Sequence, residues 1–170
     1  MTPLVRRSWA PKGKTPLLYQ RTRHYQKVSA IAALTVSTKR RRVGLYFSLL
    51  SNANIDSTQV QVFLQELRRH IQNPIILIWD RLKTHRSVKV QKWMAGQHGF
   101  SCEFLPPYAP ELNPVENIWS YLKHNPLANF AAADVDELFR AAQRATRQIS
   151  KRPDLLRSFI KEVPLFLRLR

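Results

Sequence analysis

Apolar positions alternate with polar ones in some stretches of the chain and recur at helical spacing in others. Residues 27–36 are rich in alternating and β-branched apolar side chains, and residues 43–50 repeat the pattern. With the basic connection Thr38-Lys39-Arg40-Arg41-Arg42 between them, they predict a hairpin over 27–50. Val60, Phe63, Leu64, Leu67 and Ile71 then fall on one face of a helix over about 57–72, capped by Asp56 or Ser57 and stopped by Pro74. The unbroken apolar run 75–79 predicts a short strand buried on both faces. Residues 87–97 read as a helix with Val88, Trp93 and Met94 inward and Gly99 at its end. A strand at 102–105 follows, then a Pro-rich loop at 106–114 and a helix over about 114–124. Two more helices are expected at about 134–150 and 153–162. Upstream, Pro11-Lys12-Gly13-Lys14 marks the turn of a hairpin within residues 1–26. Strands interleaved with helices in this order predict an α/β sandwich.

Composition adds a partner. The 170 residues carry a formal net charge of +17, more than a small domain needs for solubility. A polyanion is the expected partner, nucleic acid first and an anionic membrane surface second. No apolar run reaches the roughly 18–20 residues of a spanning helix, and the N-terminus lacks a signal-peptide core. The single cysteine, Cys102, excludes an intrachain disulfide and a cysteine zinc site, and suits a small core residue in a reducing cytoplasm.

The candidate chemistry lies between residues 79 and 119. Asp80 ends the apolar strand, where α/β sheets meet ligands and metals. Glu116 follows 36 positions later in the first turn of a helix. Paired carboxylates suit a hard divalent cation that also binds phosphate oxygens. Each also has a plain structural role open to it. Asp80 can cap the turn into the next loop. Glu116 can be the N3 residue of an Asn113-Pro114-Val115-Glu116 capping box, favoured by the helix dipole. His85, five residues past Asp80, can orient the Asp80 loop or contact metal or phosphate. Arg40, Arg41 and Arg42 crowd a hairpin tip, and Arg140, Arg144, Arg147 and Lys151 share one face of a helix. They read as phosphate contacts that position DNA without reading its sequence.

Three segments carry a family resemblance: Trp9-Ala10-Pro11-Lys12-Gly13-Lys14-Thr15-Pro16, then Ile78-Trp79-Asp80 with His85-Arg86-Ser87, then Leu105 through Lys123 with its Asn113-Pro114-Val115-Glu116 block. Over roughly residues 5–135 the chain resembles the catalytic domain of IS630/Tc1/mariner-type transposases, the integrase-like DDE enzymes of ribonuclease H-like fold. Pro126-Leu127-Ala128-Asn129-Phe130 looks like the bacterial IS630 branch. The resemblance implies metal-dependent DNA cleavage and strand transfer, with Asp80 and Glu116 as the second and third catalytic carboxylates and metal ligands. It further implies Mg²⁺ or Mn²⁺ at a two-metal site in the intact enzyme, and active-site support from His85 and Asn113. Lys123, seven residues after Glu116, is then placed to touch DNA near the scissile phosphate. Double-stranded DNA, as transposon ends and target, is the implied partner, and the nucleoid of a bacterial cytoplasm is the place of work. No membrane is involved, and a homodimer of the intact transposase stays open.

Two departures stand out. Many relatives carry Asn after the second Asp, whereas Arg81-Leu82 follow here. Residues 1–55 hold no Asp or Glu, so the family's first catalytic Asp, on a strand before Thr2, has no counterpart. The expectation is a ribonuclease H-like domain over 1–125 truncated by its first strand, with a basic helical extension at 126–170. The absent strand would lie mid-sheet between the hairpin and the strand at 75–79. This form is expected not to catalyse transposition, and a non-catalytic DNA-binding remnant is the alternative.

Overall fold

The computed structural model describes residue 7, residues 9–14 and residues 27–164. Strands β1 (Val28–Val36) and β2 (Val43–Ser51) form an antiparallel hairpin, and α1 (Ser57–His70) leads to β3 (Ile75–Trp79). Helix α2 (Val88–Ala95) crosses to β4 (Phe100–Phe104), which pairs in parallel with β3. A 3₁₀ turn (Pro110–Leu112) opens into α3 (Pro114–His124), followed by α4 (Val135–Ser150) and α5 (Pro153–Lys161). Within 9–14 the expected turn is present: the Lys14 N–H donates to the Pro11 carbonyl at 2.9 Å, with Gly13 at a φ of 82°. The flanking arms of that predicted hairpin fall largely outside the described residues.

The hairpin is the middle layer. Ala32 and Leu34 from β1, with Leu45 and Phe47 from β2, pack into a core with Ile118 and Leu122 of α3 and the apolar faces of α4 and α5. Ile31, Ala33 and Tyr46 point the other way, into a second core with Val60, Leu64 and Leu67 of α1, Trp79 of β3, and Val90 and Met94 of α2. Strand alternation with period two makes this possible, because successive side chains leave opposite faces. The helices beyond residue 126 therefore share a core with α3 and the hairpin.

Local chemistry explains most boundaries. Asp56 makes a full capping box with Gln59 at the start of α1. At its end, the Arg68 guanidinium donates to the carbonyls of Ile71, Gln72 and Asn73, tying off the last turn before Pro74. Several expectations need correction. Val88 is 68% exposed, and Val90 takes the inward place, because at about 100° per residue Val90 lies about 40° around the axis from Met94 and Val88 about 120°. Gly96, not Gly99, caps α2; Gly99, at a φ of 69°, turns the chain into β4, which begins at Phe100 rather than 102.

The largest correction concerns β3. Leu77 and Trp79 face the second core, but Ile76 and Ile78 are 70% and 51% exposed, so only one face is covered. The hairpin and the β3–β4 pair are separate two-stranded sheets, and among the described residues no strand bridges them. No helix is long and apolar enough to cross a membrane among those residues.

The cores set a stability expectation. Ile118 and Leu122 are fully buried, so Ile118→Ala or Leu122→Ala should each cost about 2–5 kcal/mol in urea denaturation. Val62→Ala, at a half-exposed position on α1, should change stability by no more than about 0.5 kcal/mol.

Candidate active site

Asp80 is delivered by β3 and stands one residue past its end. The strand end is held against β4: the Leu105 N–H donates to the Trp79 carbonyl at 2.8 Å. Arg81, just after Asp80, donates through Nε to the Leu105 carbonyl at 3.1 Å and lies 5.7 Å above the Phe104 ring. It therefore clamps β3 to the start of the Pro-rich loop rather than entering the site.

One oxygen of Asp80 is fully occupied. Oδ1 accepts from the Leu82 N–H at 3.1 Å and lies 2.7 Å from Nδ1 of His85. A carboxylate oxygen can only accept, which assigns a proton to Nδ1. Oδ1 thus caps the turn, and among the described residues Oδ2 accepts no hydrogen bond. The Asp80 side chain is 40% exposed and that of His85 only 14%. The imidazole lies flat on the Trp79 indole, with centroids 4.3 Å apart and an interplanar angle of 6°.

Glu116 arrives on α3. Proline at its first position and Asn113 as N-cap start the helix, and the Asn113 side chain accepts from the Val115 N–H. The reciprocal half of a capping box does not form. The Asn113 N–H is already given to the Pro110 carbonyl at 2.9 Å, so the Glu116 carboxylate has no cap to make. Helix α3 is seated by Ile118 and Leu122, and Asn117 fastens it by donating to the Phe159 carbonyl of α5 at 3.0 Å. Leu122, and the partly buried Trp119, pack the helix into the first core.

The two carboxylates act on each other. The Glu116 pKa is raised, first because neighbouring groups partly strip its carboxyl of water, and also because the charge of Asp80 repels its own; Lys123 opposes both. Lys123 is two helical turns after Glu116 and on its face, as the spacing predicted. No group of three or more His, Cys, Asp or Glu side chains suited to a metal occurs among the described residues. The donor set is two hard carboxylates, which fits one divalent cation sharing its remaining positions with water and phosphate oxygens.

The basic candidates are all at the surface. Arg40, Arg41 and Arg42 are exposed at the hairpin tip, and α5 reaches that tip through Arg157, which donates to the Arg41 carbonyl. Arg140, Arg144, Arg147 and Lys151 form one exposed stripe along α4 and its C-cap. Sequence reasoning missed two contributors. Gln91 of α2 donates to the His85 carbonyl at 3.0 Å, and no motif marks it. Trp79 reads as the last apolar residue of a strand, and only the fold reveals its stacking on His85.

The raised pKa of Glu116 gives a pH expectation. The fold favours the neutral carboxyl, so wild type and Glu116→Gln should be equally stable below the ordinary glutamate value of 4.5. As pH rises through the folded value, wild type loses that advantage and the glutamine variant keeps it. Melting temperatures compared from acid to neutral pH should show a gap that opens upward in favour of Glu116→Gln.

The chain is similar to known proteins in sequence and in fold. The chain fits the family profile of the DDE superfamily endonucleases over residues 2–139. It is 30% identical over 100 residues to the uncharacterized protein y4pE/y4sA of Sinorhizobium fredii, covering 58% of this chain and 71% of that protein. In structure it is similar to the protein of the Mos1 strand transfer complex, with a TM-score of 0.56 at 16% identity over 96% of this chain and 51% of that one. A Mos1 transposase paired-end complex with the left transposon end gives a TM-score of 0.58 at the same identity, covering 96% of this chain and 52% of that one. The chain thus spans about half the length of those transposase chains. Such distant likeness speaks to fold, and the fold is the ribonuclease H-like one that the family resemblance implied. By residues matched and by fold, the chain belongs to the DDE superfamily endonucleases.

Proposed function

We propose that this chain acts in DNA transposition, as the part of a transposase that cuts DNA strands and joins them to a target. What supports this reading is a carboxylate at a strand end, Asp80, and one at a helix start, Glu116, with the charge of Asp80 among the causes that raise the Glu116 pKa. Asp80, through its open Oδ2, and Glu116 would hold Mg²⁺ or Mn²⁺. Bound there, such an ion is a Lewis acid toward a phosphoryl oxygen. Water or a DNA 3′-hydroxyl attacks phosphorus in line, one phosphorus–oxygen bond forms, and the opposite one breaks. His85 keeps Asp80 in one orientation, and Asn113 starts the helix that presents Glu116. Lys123 offsets charge beside Glu116 and is available to a DNA phosphate. Arg40, Arg41, Arg42, Arg140, Arg144, Arg147 and Lys151 take the backbone of double-stranded DNA, both transposon end and target. Work on bacterial nucleoid DNA in the cytoplasm and pairing into a homodimer belong to the same proposal.

A second reading has its own support. Two carboxylates without a third ligand among the described residues fit one ion, not the two of a complete site, so a DNA-binding chain without cleavage remains the rival. Calorimetric titration with MnCl₂ and a nicking assay on supercoiled DNA separate the two. Metal uptake and nicking, both lost in Asp80→Ala and Glu116→Ala, carry the enzyme reading. His85→Ala should weaken metal binding about 10–100-fold, as loss of a ligand's hydrogen-bond partner does. DNA binding with neither metal uptake nor nicking would favour the rival.

DNA binding should be salt-sensitive and indifferent to sequence. Each phosphate contact should add about −0.9 to the slope of log affinity against log salt. Reversing the charge at Arg140, Arg144 and Arg147 together should weaken binding to unrelated duplexes alike and flatten the slope by about 2.7. A flat salt response by the wild-type chain would count against any role on DNA.

A further inference from the structure

Trp79 is buried in the second core, and packing alone would account for an apolar side chain there. Its geometry asks for more. The indole N–H donates to Cys102 Sγ at 2.9 Å, which fixes the rotation of the ring. One indole partner is Phe104, with centroids 6.2 Å apart. The other is His85, stacked nearly parallel at 4.3 Å. An aromatic residue that only fills space needs no parallel overlap with an imidazole; a parallel stack sets the plane in which the imidazole lies.

The backbone of His85 is fixed as well. Its N–H donates to the Leu82 carbonyl at 3.0 Å, and its carbonyl accepts from Gln91 Nε2 at 3.0 Å. With the backbone held by a turn and by α2, and the ring plane held by Trp79, Nδ1 has one direction left, toward Oδ1 of Asp80 at 2.7 Å. The result is an Asp80 whose first oxygen is pinned twice and whose second stays open.

We propose that Trp79 is a positioning residue for the metal-binding carboxylate, acting through His85, with Gln91 holding the far side of the same imidazole-bearing turn. The proposal rests on Asp80 being a metal ligand. It extends the support of the site from one histidine to a chain that runs Cys102, Trp79, His85, Asp80. A ligand held this way loses less freedom on binding a cation, and loosening it by a fraction of an ångström is enough to weaken the site.

Two substitutions at Trp79 separate stacking from filling. Trp79→Phe keeps an aromatic face for His85, whereas Trp79→Leu keeps an apolar side chain, smaller and without one. Two measurements are made on the full chain: Mn²⁺ affinity by calorimetry, and the slowly exchanging Nδ1–H resonance of His85 by NMR without metal. The proposal expects Trp79→Phe to keep the resonance and to bind Mn²⁺ within about threefold of wild type. Trp79→Leu should lose the resonance and bind Mn²⁺ about tenfold more weakly when measured well below its lowered melting temperature. Gln91→Ala, on a half-buried helix position where unfolding is no concern, should weaken Mn²⁺ binding about threefold and covers the case in which Trp79→Leu does not fold. Equal Mn²⁺ affinity in the wild type, Trp79→Leu and Gln91→Ala would overturn the proposal and leave the metal site standing. A wild-type chain that binds no Mn²⁺ would overturn the proposal together with the function on which it rests.

Discussion

The register of the β1–β2 hairpin is the constraint on which the rest depends. Both of its faces are buried, each in a different core, so one slip of a single residue would send Ala32 and Leu34 into the core meant for Ile31 and Ala33. The pairing Thr35↔Gly44 guards against that slip. A Cβ at position 44 would meet Thr35 Oγ1 at 2.9 Å, so a larger residue there would force the threonine side chain to shift. Helix α3 is seated on one core and Trp79 in the other. The approach of Glu116 to Asp80 is therefore set by a layer that carries neither residue.

Much of this architecture was legible in the sequence because it is local. The strand at 75–79 and the helix at 114–124 are found at those bounds, and the other elements expected from residue 27 onward within about two residues. Capping residues and periodicity fix such things, since both act over a few positions. What was not legible depends on which surfaces meet. The run at 75–79 is as apolar as a strand covered on both sides, yet nothing described covers Ile76 and Ile78. Periodicity reports what a strand can bury, and the rest of the fold decides what it does bury. The inward place assigned to Val88 failed for a smaller reason: at about 100° per residue it lies about 120° around the axis from Met94, and Val90 only about 40°.

The site divides along the same line. Asp80, Glu116 and His85 stood out by residue type and spacing, and the fold brings the first two within each other's field and the third against Asp80. Whether Glu116 was a cap or a free carboxylate could not be read from Asn113-Pro114-Val115-Glu116, because the motif is written alike in both cases. The answer turned on where the Asn113 N–H goes, and the 3₁₀ turn before α3 takes it through the Pro110 carbonyl. Trp79 and Gln91 left no mark because stacking and a single carbonyl contact have no sequence period.

The electrostatics of the pair is the last step. In a chain of net charge +17, an isolated acid would be expected to find a basic partner, and Glu116 has only Lys123 among the charges that lower its pKa. Instead the fold sets it within reach of a second carboxylate and partly desolvates it, and both raise its pKa. Two like charges brought together are unfavourable in the free protein, and the hydrophobic seating of α3 and β3 supplies what offsets them. A divalent cation between the two carboxylates would reverse the sign of that interaction. The surrounding positive surface would do the same for an incoming polyanion. Repulsion built into the resting site and attraction to its ligands then arise from one charge arrangement, and that arrangement is costly unless a cation and a phosphate complete it.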